Sequence, residues 1–280
     1  MFDFPEMDGL PLAAWVDNGM SWLLTHLGGF FDVVGFIILN VVVGIEQIFL
    51  NLPWFVIILL VGLAGWKLVG KMRTGIVFMI FMVLIGSFGY WELAMRTLSL
   101  VIASVFFSLL IGLPLGIGMA RNDKMEIILK PLLDGMQTMP SFVYLIPALM
   151  FFGMGKVPAM FATIIYAVPP VIRLTNVGIR TVDKEALEAA KAFGATGKQV
   201  LFDVQLPLAK PSIMVGINQT TMMALSMVVI GSMIGAKGLG MEVLLAINRI
   251  EVGRGFQAGL SIVFLAIIVD RITYSFSQKK

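Results

Sequence analysis

Apolar stretches long enough to cross a bilayer, separated by short polar turns, recur along most of this chain. A helix needs about 20 mostly apolar residues to span the hydrocarbon core of a membrane. Only 13% of the residues are charged, whereas soluble domains carry about 25%. The pattern therefore predicts an all-α integral membrane protein, embedded in a lipid bilayer.

Seven spanning helices are predicted from these stretches. They cover approximately residues 53–69, 74–90, 97–120, 131–152, 158–175, 211–234 and 256–272. In the third helix, Pro114 lies among glycines, which predicts a kink and a close approach to a neighbouring helix. The fourth is expected to break at Pro140 and Pro147, because such breaks are tolerated where the backbone faces protein or a water-filled cavity.

The N-terminal part of the chain has a different charge pattern. Residues 1–66 contain no lysine or arginine, which permits the N-terminal end to lie outside the cell. Within residues 30–50 the polar side chains recur seven or eight residues apart, at Asp32, Asn40, Glu46 and Gln47. A one-sided polar stripe favours an amphipathic helix lying in the membrane interface, with a spanning helix as the alternative. We therefore expect an N-terminal segment, residues 1–52, and a transmembrane domain, residues 53–280.

Lysines and arginines are concentrated at one side of the seven predicted helices. That side carries Lys67, Lys71, Arg73, Arg121, Lys124, Lys130, Arg173, Arg180, Lys184, Lys191, Lys198, Lys210, Arg271, Lys279 and Lys280. The other side carries Arg96, Lys156, Lys237, Arg249 and Arg254. Because cytoplasmic loops are rich in lysine and arginine, the first side is predicted to be cytoplasmic, with the C-terminal end there.

A polar, charged island separates the fifth and sixth predicted helices. Its first part, Asp183–Phe193, is rich in alanine and has strong helix propensity, and Gly194 supplies the left-handed residue that ends such a helix. Thr196 is followed three residues later by Gln199, which is the spacing of a capping box at the start of a second helix. Pro207 is expected to end that helix because it has no N–H group to donate. The island therefore predicts a helical hairpin.

No nucleotide site is expected in this chain. The nearest approach to a phosphate loop, residues 194–199, has Ala192 where the motif requires glycine and Gln199 where it requires serine or threonine. The chain has no cysteine and a single histidine, His26, so no metal or thiol site is expected. Nucleic-acid binding has little support, since basic residues are not clustered with aromatic ones. ATP and Mg²⁺ are therefore expected on a partner protein, and no catalytic residue or cofactor is expected here.

Charged side chains are not expected deep within the seven helices, which argues against a proton-coupled carrier and less strongly against a sodium-coupled one. Two carboxylates in the island, Glu185 and Glu188, could suggest acid/base chemistry. Lys184 and Lys191 lie within about one helical turn of Glu188, so surface ion pairs are the expected explanation.

The island carries a spaced pattern that resembles the cytoplasmic loop of permease subunits of ABC importers. The pattern reads Glu188-Ala189-Ala190, Gly194, Val204 and Leu206-Pro207, with valine where isoleucine is more usual. The resemblance implies a type I ABC importer permease fold, in which residues 181–207 form the loop that contacts a separate cytoplasmic ATPase. The coupling residues that it implies are Glu185, Glu188, Ala189, Ala190, Gly194, Leu206 and Pro207.

Residues 137–147, 152–155 and 167–173 resemble glycine betaine/proline betaine permeases. This resemblance implies an importer of such osmoprotectants in a bacterial or archaeal inner membrane. It would contain two copies of this chain, two copies of the ATPase and an extracellular substrate-binding protein.

Aromatic rings attract quaternary ammonium groups, so a translocation path is expected near aromatic and polar residues of the membrane helices, with ordinary packing as the alternative for the aromatic ones. The residues expected along it are Phe142, Tyr144, Tyr166 and Asn218. Two alternatives stay open: an importer of the same architecture for another solute, such as an amino acid or a sulfonate, and a channel or ion-coupled carrier that works alone.

Overall fold

The computed structural model describes residues 11–278, and every regular element in that part of the chain is helical. The acidic positions before residue 11, Lys279 and Lys280 lie outside the described residues. The helices are α1 (Leu12–Asn51), α2 (Trp54–Lys67), α3 (Met72–Ser87), α4 (Trp91–Arg121), α5 (Asp123–Thr138), α6 (Leu145–Phe152), α7 (Lys156–Arg180), α8 (Lys184–Ala192), α9 (Gly197–Gln199), α10 (Leu206–Ile230), α11 (Leu239–Arg249) and α12 (Val252–Gln278). A π-helical turn, Val200–Gln205, joins α9 to α10, and 3-10 turns cover Ser141–Tyr144 and Gly231–Ile234.

Contacts between helix ends define two opposite faces of the bundle. On the face that carries the polar island, which we call the hairpin face, Arg180 Nη2 donates to the Met119 carbonyl at 2.8 Å and joins the ends of α4 and α7. On the other face, which we call the outer face, the Leu239 amide donates to Thr97 Oγ1 at 2.9 Å and joins the starts of α4 and α11. The two faces match the two sides that the charge pattern separates.

Five helices of the described chain are long and apolar enough to cross a membrane, and α5 with α6 makes a sixth if the bent pair is one span. Four of the expected spans are among these five, namely α4, α7, the continuous helix Gly197–Ile234 and α12. The first two expected spans are shorter than predicted: α2 has 14 residues and α3 has 16. The fifth long helix is α1, which the sequence pattern had assigned to the membrane interface.

The structure does not show a short separate helix at residues 30–50, because they form the C-terminal half of the 40-residue α1. Ile38, Val42 and Glu46 form the buried face of this half, whereas Asp32 and the other polar positions of the expected stripe are exposed. Glu46 is therefore not part of that stripe. It lies on the face that packs against α4 and α7.

Glycines allow α4, α7 and α10 to approach closely, as predicted for α4. A methyl group at Gly112 would lie 2.4 Å from Val171 Cγ1, and one at Gly116 would lie 2.8 Å from the Ile172 carbonyl oxygen. On the other side of α7, a methyl group at Gly216 would lie 3.1 Å from the Val171 Cα. In membranes, where apolar burial gives little net drive, such close packing holds helices together.

Prolines act differently at different places in the fold. The chain bends by 110° between α5 and the segment 141–152, which agrees with the expected break at Pro140. The expected break at Pro147 is wrong, because Pro147 lies in the first turn of α6, where no intrahelical N–H bond is lost. Helix α4 continues through Pro114.

Candidate functional site

The first helix of the hairpin is set by signals close to it in the sequence. Asp183 caps α8, because its Oδ1 accepts from the Glu185 amide at 2.9 Å. The helix ends at Ala192, and Gly194 has a φ of +82°, a left-handed value that favours glycine. The Ala195 amide then bonds to the Ala190 carbonyl at 3.1 Å. The predicted first helix and its glycine end are both confirmed.

The second helix starts as predicted but does not end where it was expected to end. The Thr196 amide donates to Gln199 Oε1 at 2.8 Å, and the Gln199 amide donates to Thr196 Oγ1 at 3.4 Å, so the capping box is present. The expected stop at Pro207 is wrong. The six-residue π-helical turn, Val200–Gln205, ends just before it, and Pro207 lies in the first turn of α10, where its missing N–H costs least.

An apolar cluster fixes the base of the hairpin to the bundle. Ile179 of α7 and Val182, which follows that helix, pack with Leu201 of the π-helical turn and Ala209 of α10, and all four are buried. Leu206 and Leu187 of α8 pack partly against this cluster. Both helices of the hairpin are thereby held against the membrane helices, although α8 itself has no fully buried residue.

The tip of the hairpin presents an exposed surface. Phe193 is 94% exposed, and Glu185, Glu188, Ala189 and Gly194 around it are exposed as well. The expected ion pairs are wrong: within the described chain, no ion pair of 4.0 Å or less joins Glu188 to the two lysines of α8. An apolar ring beside unpaired carboxylates, all on a rigid scaffold, is a surface suited to contact with another protein.

A polar network connects the end of α7, just before the hairpin, to α5. The Arg180 guanidinium contacts Asp123 at 2.7 Å, Glu126 at 3.1 Å and Asn176 at 3.0 Å. Asn176 donates in turn to Glu126 at 3.0 Å. This network was not predicted from the sequence. The available signal was a cation in the last turn of one helix and carboxylates in the first turn of another, which are the positions that helix dipoles favour.

The expected path residues do not form one group. Tyr144 and Tyr166 lie edge to face, with ring centroids 6.0 Å apart, and the Tyr144 hydroxyl donates to the Met136 carbonyl at 2.5 Å. Phe142 lies next to the bend in the chain and is 58% exposed. The two tyrosines therefore form a pair, and Phe142 is exposed beside it.

Asn218 lies elsewhere, against α12. Its Nδ2 donates to Asp270 Oδ1 at 3.0 Å, and its own carbonyl oxygen is buried and has no hydrogen-bond partner among the described residues. No role was predicted for Asp270 from the sequence, yet it is bonded within the bundle. Asparagine and aspartate that bond across membrane helices hold those helices together.

A buried carboxylate on α1 forms a second unexpected polar site, on the outer face. Glu46 is 6% exposed; its Oε1 accepts from Arg96 at 2.7 Å and its Oε2 accepts from Lys156. These pairs join α1 to the starts of α4 and α7. A carboxylate buried to this degree is stable as an ion only when it is paired in this way. Among the described residues, no group of three or more metal-ligating side chains occurs.

Comparison with known proteins identifies relatives over almost the whole chain. The sequence model of the family described as "Binding-protein-dependent transport system inner membrane component" matches residues 112–280. The chain is 49% identical over 278 residues to the glycine betaine/carnitine transport permease protein of Listeria monocytogenes, covering 98% of each chain. It is 47% identical over 264 residues to the glycine betaine/proline betaine transport system permease protein of Escherichia coli, covering 94% of this chain and 74% of the relative.

Solved structures share the fold at lower identity. A chain from the methionine ABC transporter in an inward-facing conformation superimposes with a TM-score of 0.59 at 21% identity, over 67% of this chain and 95% of that chain. A second crystal form of the same transporter gives a TM-score of 0.55 at 23% identity, over 64% and 89% of the two chains. The expected type I ABC importer permease fold is therefore confirmed.

Proposed function

Because the chain belongs to the family of binding-protein-dependent transport system inner membrane components, we propose that it is the permease subunit of an ATP-driven importer of glycine betaine or a related quaternary ammonium osmoprotectant. The observation that carries this proposal is 49% identity over 98% of both chains with a glycine betaine/carnitine permease. A second permease, that of the glycine betaine system of Bacillus subtilis, is 43% identical over 97% of this chain.

The hairpin supplies the contact with the ATPase. Its exposed tip, around Phe193, carries Glu185, Glu188, Ala189 and Gly194, and small residues beside a single large ring let a partner surface approach closely. Ala190 and Leu206 are partly buried and support this surface from beneath. ATP and Mg²⁺ bind on the partner, and this chain acts by transmitting the partner's movement to α7 and α10.

The complete transporter contains two copies of this chain, two copies of the cytoplasmic ATPase and an extracellular substrate-binding protein, in a bacterial or archaeal cell membrane. The hairpin face is cytoplasmic because it carries most of the lysines and arginines. The described end of α12 lies on this face, where Tyr274 and Ser275 line a groove with Lys71 of the α2–α3 turn.

The N-terminal end of the chain is proposed to lie outside the cell, because residues 1–66 carry no lysine or arginine. Two contacts hold the C-terminal half of α1 at the outer face. Glu46 pairs with Arg96 at the start of α4, and a methyl group at Gly35 would lie 3.7 Å from Val157 Cγ1 at the start of α7.

The tyrosine pair is the part of the expected path that best fits the substrate. Quaternary ammonium groups bind over aromatic faces, and the Tyr166 ring, edge to face with Tyr144, adds a second aromatic group at the same place. Asn218 acts through its bond to Asp270 instead, as a tie between α10 and α12.

Uptake by reconstituted vesicles tests the proposal. Vesicles with this chain, its ATPase and its binding protein are expected to accumulate labelled glycine betaine only when ATP is present inside. Accumulation of a labelled amino acid or sulfonate in its place would support the alternative solute. Uptake of betaine by vesicles that lack the ATPase would overturn the proposal in favour of a carrier that works alone.

The hairpin's role is tested with a matched pair of charge reversals. Glu188→Lys changes an exposed carboxylate that forms no ion pair within residues 11–278, so the fold is expected to persist while ATPase capture and uptake fall at least tenfold. Lys237→Glu reverses an exposed charge on the outer face and is expected to leave ATPase capture unchanged. Equal capture by both variants would exclude the hairpin as the docking element.

A further inference from the structure

A groove of about 590 Å³ opens on the hairpin face between the α2–α3 turn, the start of α3 and the end of α12. None of the expected or observed site residues described above lines it. One end of the groove is lined by the cations Lys71, Arg73 and Arg271. The other end is lined by the apolar side chains of Val77 and Ile267, among others.

The charged end is positive, and among the residues that the structure describes no carboxylate lines it. Lys71 and Arg73 are exposed, and within the described chain neither forms an ion pair of 4.0 Å or less. Arg271 Nε lies 3.8 Å from Asp270 Oδ2, but Asp270 is already held by Asn218 of α10. Three cations at one site, with only this one long pair, favour an anionic occupant.

The apolar end continues into the membrane-facing surface of α3. Val77 is 41% exposed and Ile267 is 37% exposed, and on α3 the series continues with Ile80 at 50%. The floor is firm, because Phe81 stacks on Phe264 with ring centroids 4.3 Å apart. The groove thus runs from a cationic rim at the end of the helices to an apolar wall at membrane depth.

We propose that this groove is a binding site for a phospholipid with an anionic headgroup, in the leaflet on the hairpin side. Its phosphate would lie between the three cations, and an acyl chain would lie along Val77 and Ile267. A free phosphate would satisfy only the charged end and would leave the apolar wall uncovered. Basic pockets between membrane helices on the cytoplasmic side are suited to such headgroups. The leaflet assignment rests on the cytoplasmic placement of the hairpin face under the proposed function.

Lipid retention by the purified transporter tests the site. Transporter in detergent is mixed with equal amounts of phosphatidylglycerol and phosphatidylcholine, and the retained lipids are counted by native mass spectrometry. Phosphatidylglycerol is expected to be retained in preference. The double variant Lys71→Gln/Arg73→Gln is expected to weaken this retention by about fivefold for each cation removed.

The matched control is Lys237→Gln/Arg249→Gln, which removes two exposed cations from the outer face and is expected to retain phosphatidylglycerol like the unmodified chain. Equal retention by the two double variants would overturn the proposal. Val77→Asn makes the apolar wall polar without adding a charge one turn from Arg73, and it separates the sources of the anion: lipid retention is expected to fall, whereas a site for free phosphate would be unaffected. Displacement of the lipid by equimolar inorganic phosphate would show a site for phosphate alone and would also overturn it.

The lipid-retention measurement tests the lipid site separately from the transport function. The Lys71→Gln/Arg73→Gln variant is expected to keep its melting temperature in phosphatidylcholine and its capture of the ATPase, since neither cation forms an ion pair with another described residue. Loss of betaine transport in all lipids would contradict the proposed function, whereas unchanged lipid retention would contradict only the lipid site.

Discussion

Replacing Gly116 by alanine tests whether close contact between α4 and α7 holds the bundle together. The added methyl group would lie 2.8 Å from the Ile172 carbonyl oxygen and 2.6 Å from Thr175 Cβ. Because ordinary contact begins at 3.4 Å, the two helices must separate by about 0.8 Å at this point to relieve the contact with Thr175 Cβ, which the backbone holds in place. The Ile172 oxygen belongs to the helix backbone and cannot rotate away, so α7 itself has to move.

The size of the effect follows from two opposing terms. Overpacking of this kind costs about 1–3 kcal/mol, whereas alanine gains about 1 kcal/mol over glycine in helix propensity. Gly44 of α1 is the matched control, because it also lies inside a long helix and a methyl group there would meet nothing within 4 Å. Gly44→Ala therefore has only the gain in helix propensity, and the unfolding free energies of the two variants are expected to differ by about 1–3 kcal/mol.

Thermal unfolding of the purified transporter in detergent measures this difference. At about 2–4 °C per kcal/mol for chains of roughly this size, Gly116→Ala is expected to melt about 2–12 °C below Gly44→Ala. The test depends on which of the two variants has the lower melting temperature. If Gly116→Ala melts at or above Gly44→Ala, then α4 and α7 are not in close contact and the packing argument fails.

Three further substitutions test single polar contacts. Glu46→Gln leaves two cations without their carboxylate and is expected to cost about 3–5 kcal/mol in unfolding free energy, so a loss below 1 kcal/mol in the same melting assay would show that the cluster is solvated. Tyr144→Phe removes the bond to the Met136 carbonyl and is expected to cost about 1 kcal/mol while uptake persists, because the ring is kept; complete loss of uptake would show that the hydroxyl contacts substrate. Asn218→Leu removes the donor to Asp270 and is expected to lower stability by about 1–3 kcal/mol; an unchanged melting temperature would show that this bond is not made.

The hairpin could be predicted from the sequence because its determinants are local. Asp183 caps a helix that starts one residue later, and Thr196 and Gln199 bond to each other across three residues. Gly194 adopts the positive φ that few other residues tolerate. Each of these contacts lies within about one helical turn, so the pattern of residue types is sufficient to specify it.

The polar contacts inside the bundle could not be predicted in the same way. Glu46 is bonded to partners 50 and 110 residues further along the chain, and Asn218 to one 52 residues away. A polar side chain in an apolar helix indicates that a partner exists but not where it lies. In α1, the position of Glu46 in the sequence is compatible with an interfacial polar stripe or with a buried ion pair. Only its partners, Arg96 and Lys156, distinguish the two.

Pro207 shows the opposite error, in which a strong local rule was applied at the wrong position. A proline ends a helix when it lies in the interior, but here the π-helical turn lies just before it.

The two membrane tyrosines are an intermediate case. Their residue types suggested an aromatic site, and the structure pairs them, but Phe142 and Asn218 were grouped with them only by composition.

The absence of a stop at Pro207 has a mechanical consequence. One helix, Gly197–Ile234, runs from the hairpin to the outer face, and close contacts join it to α7 along most of this length. A methyl group at Gly178 of α7 would lie 2.8 Å from Ser212 Cβ, and one at Gly231 would lie 2.9 Å from Ala159 Cβ at the other end of the pair. An inward push at the hairpin would therefore displace this helix and α7 together as one rigid unit, and the movement would reach the outer face undiminished.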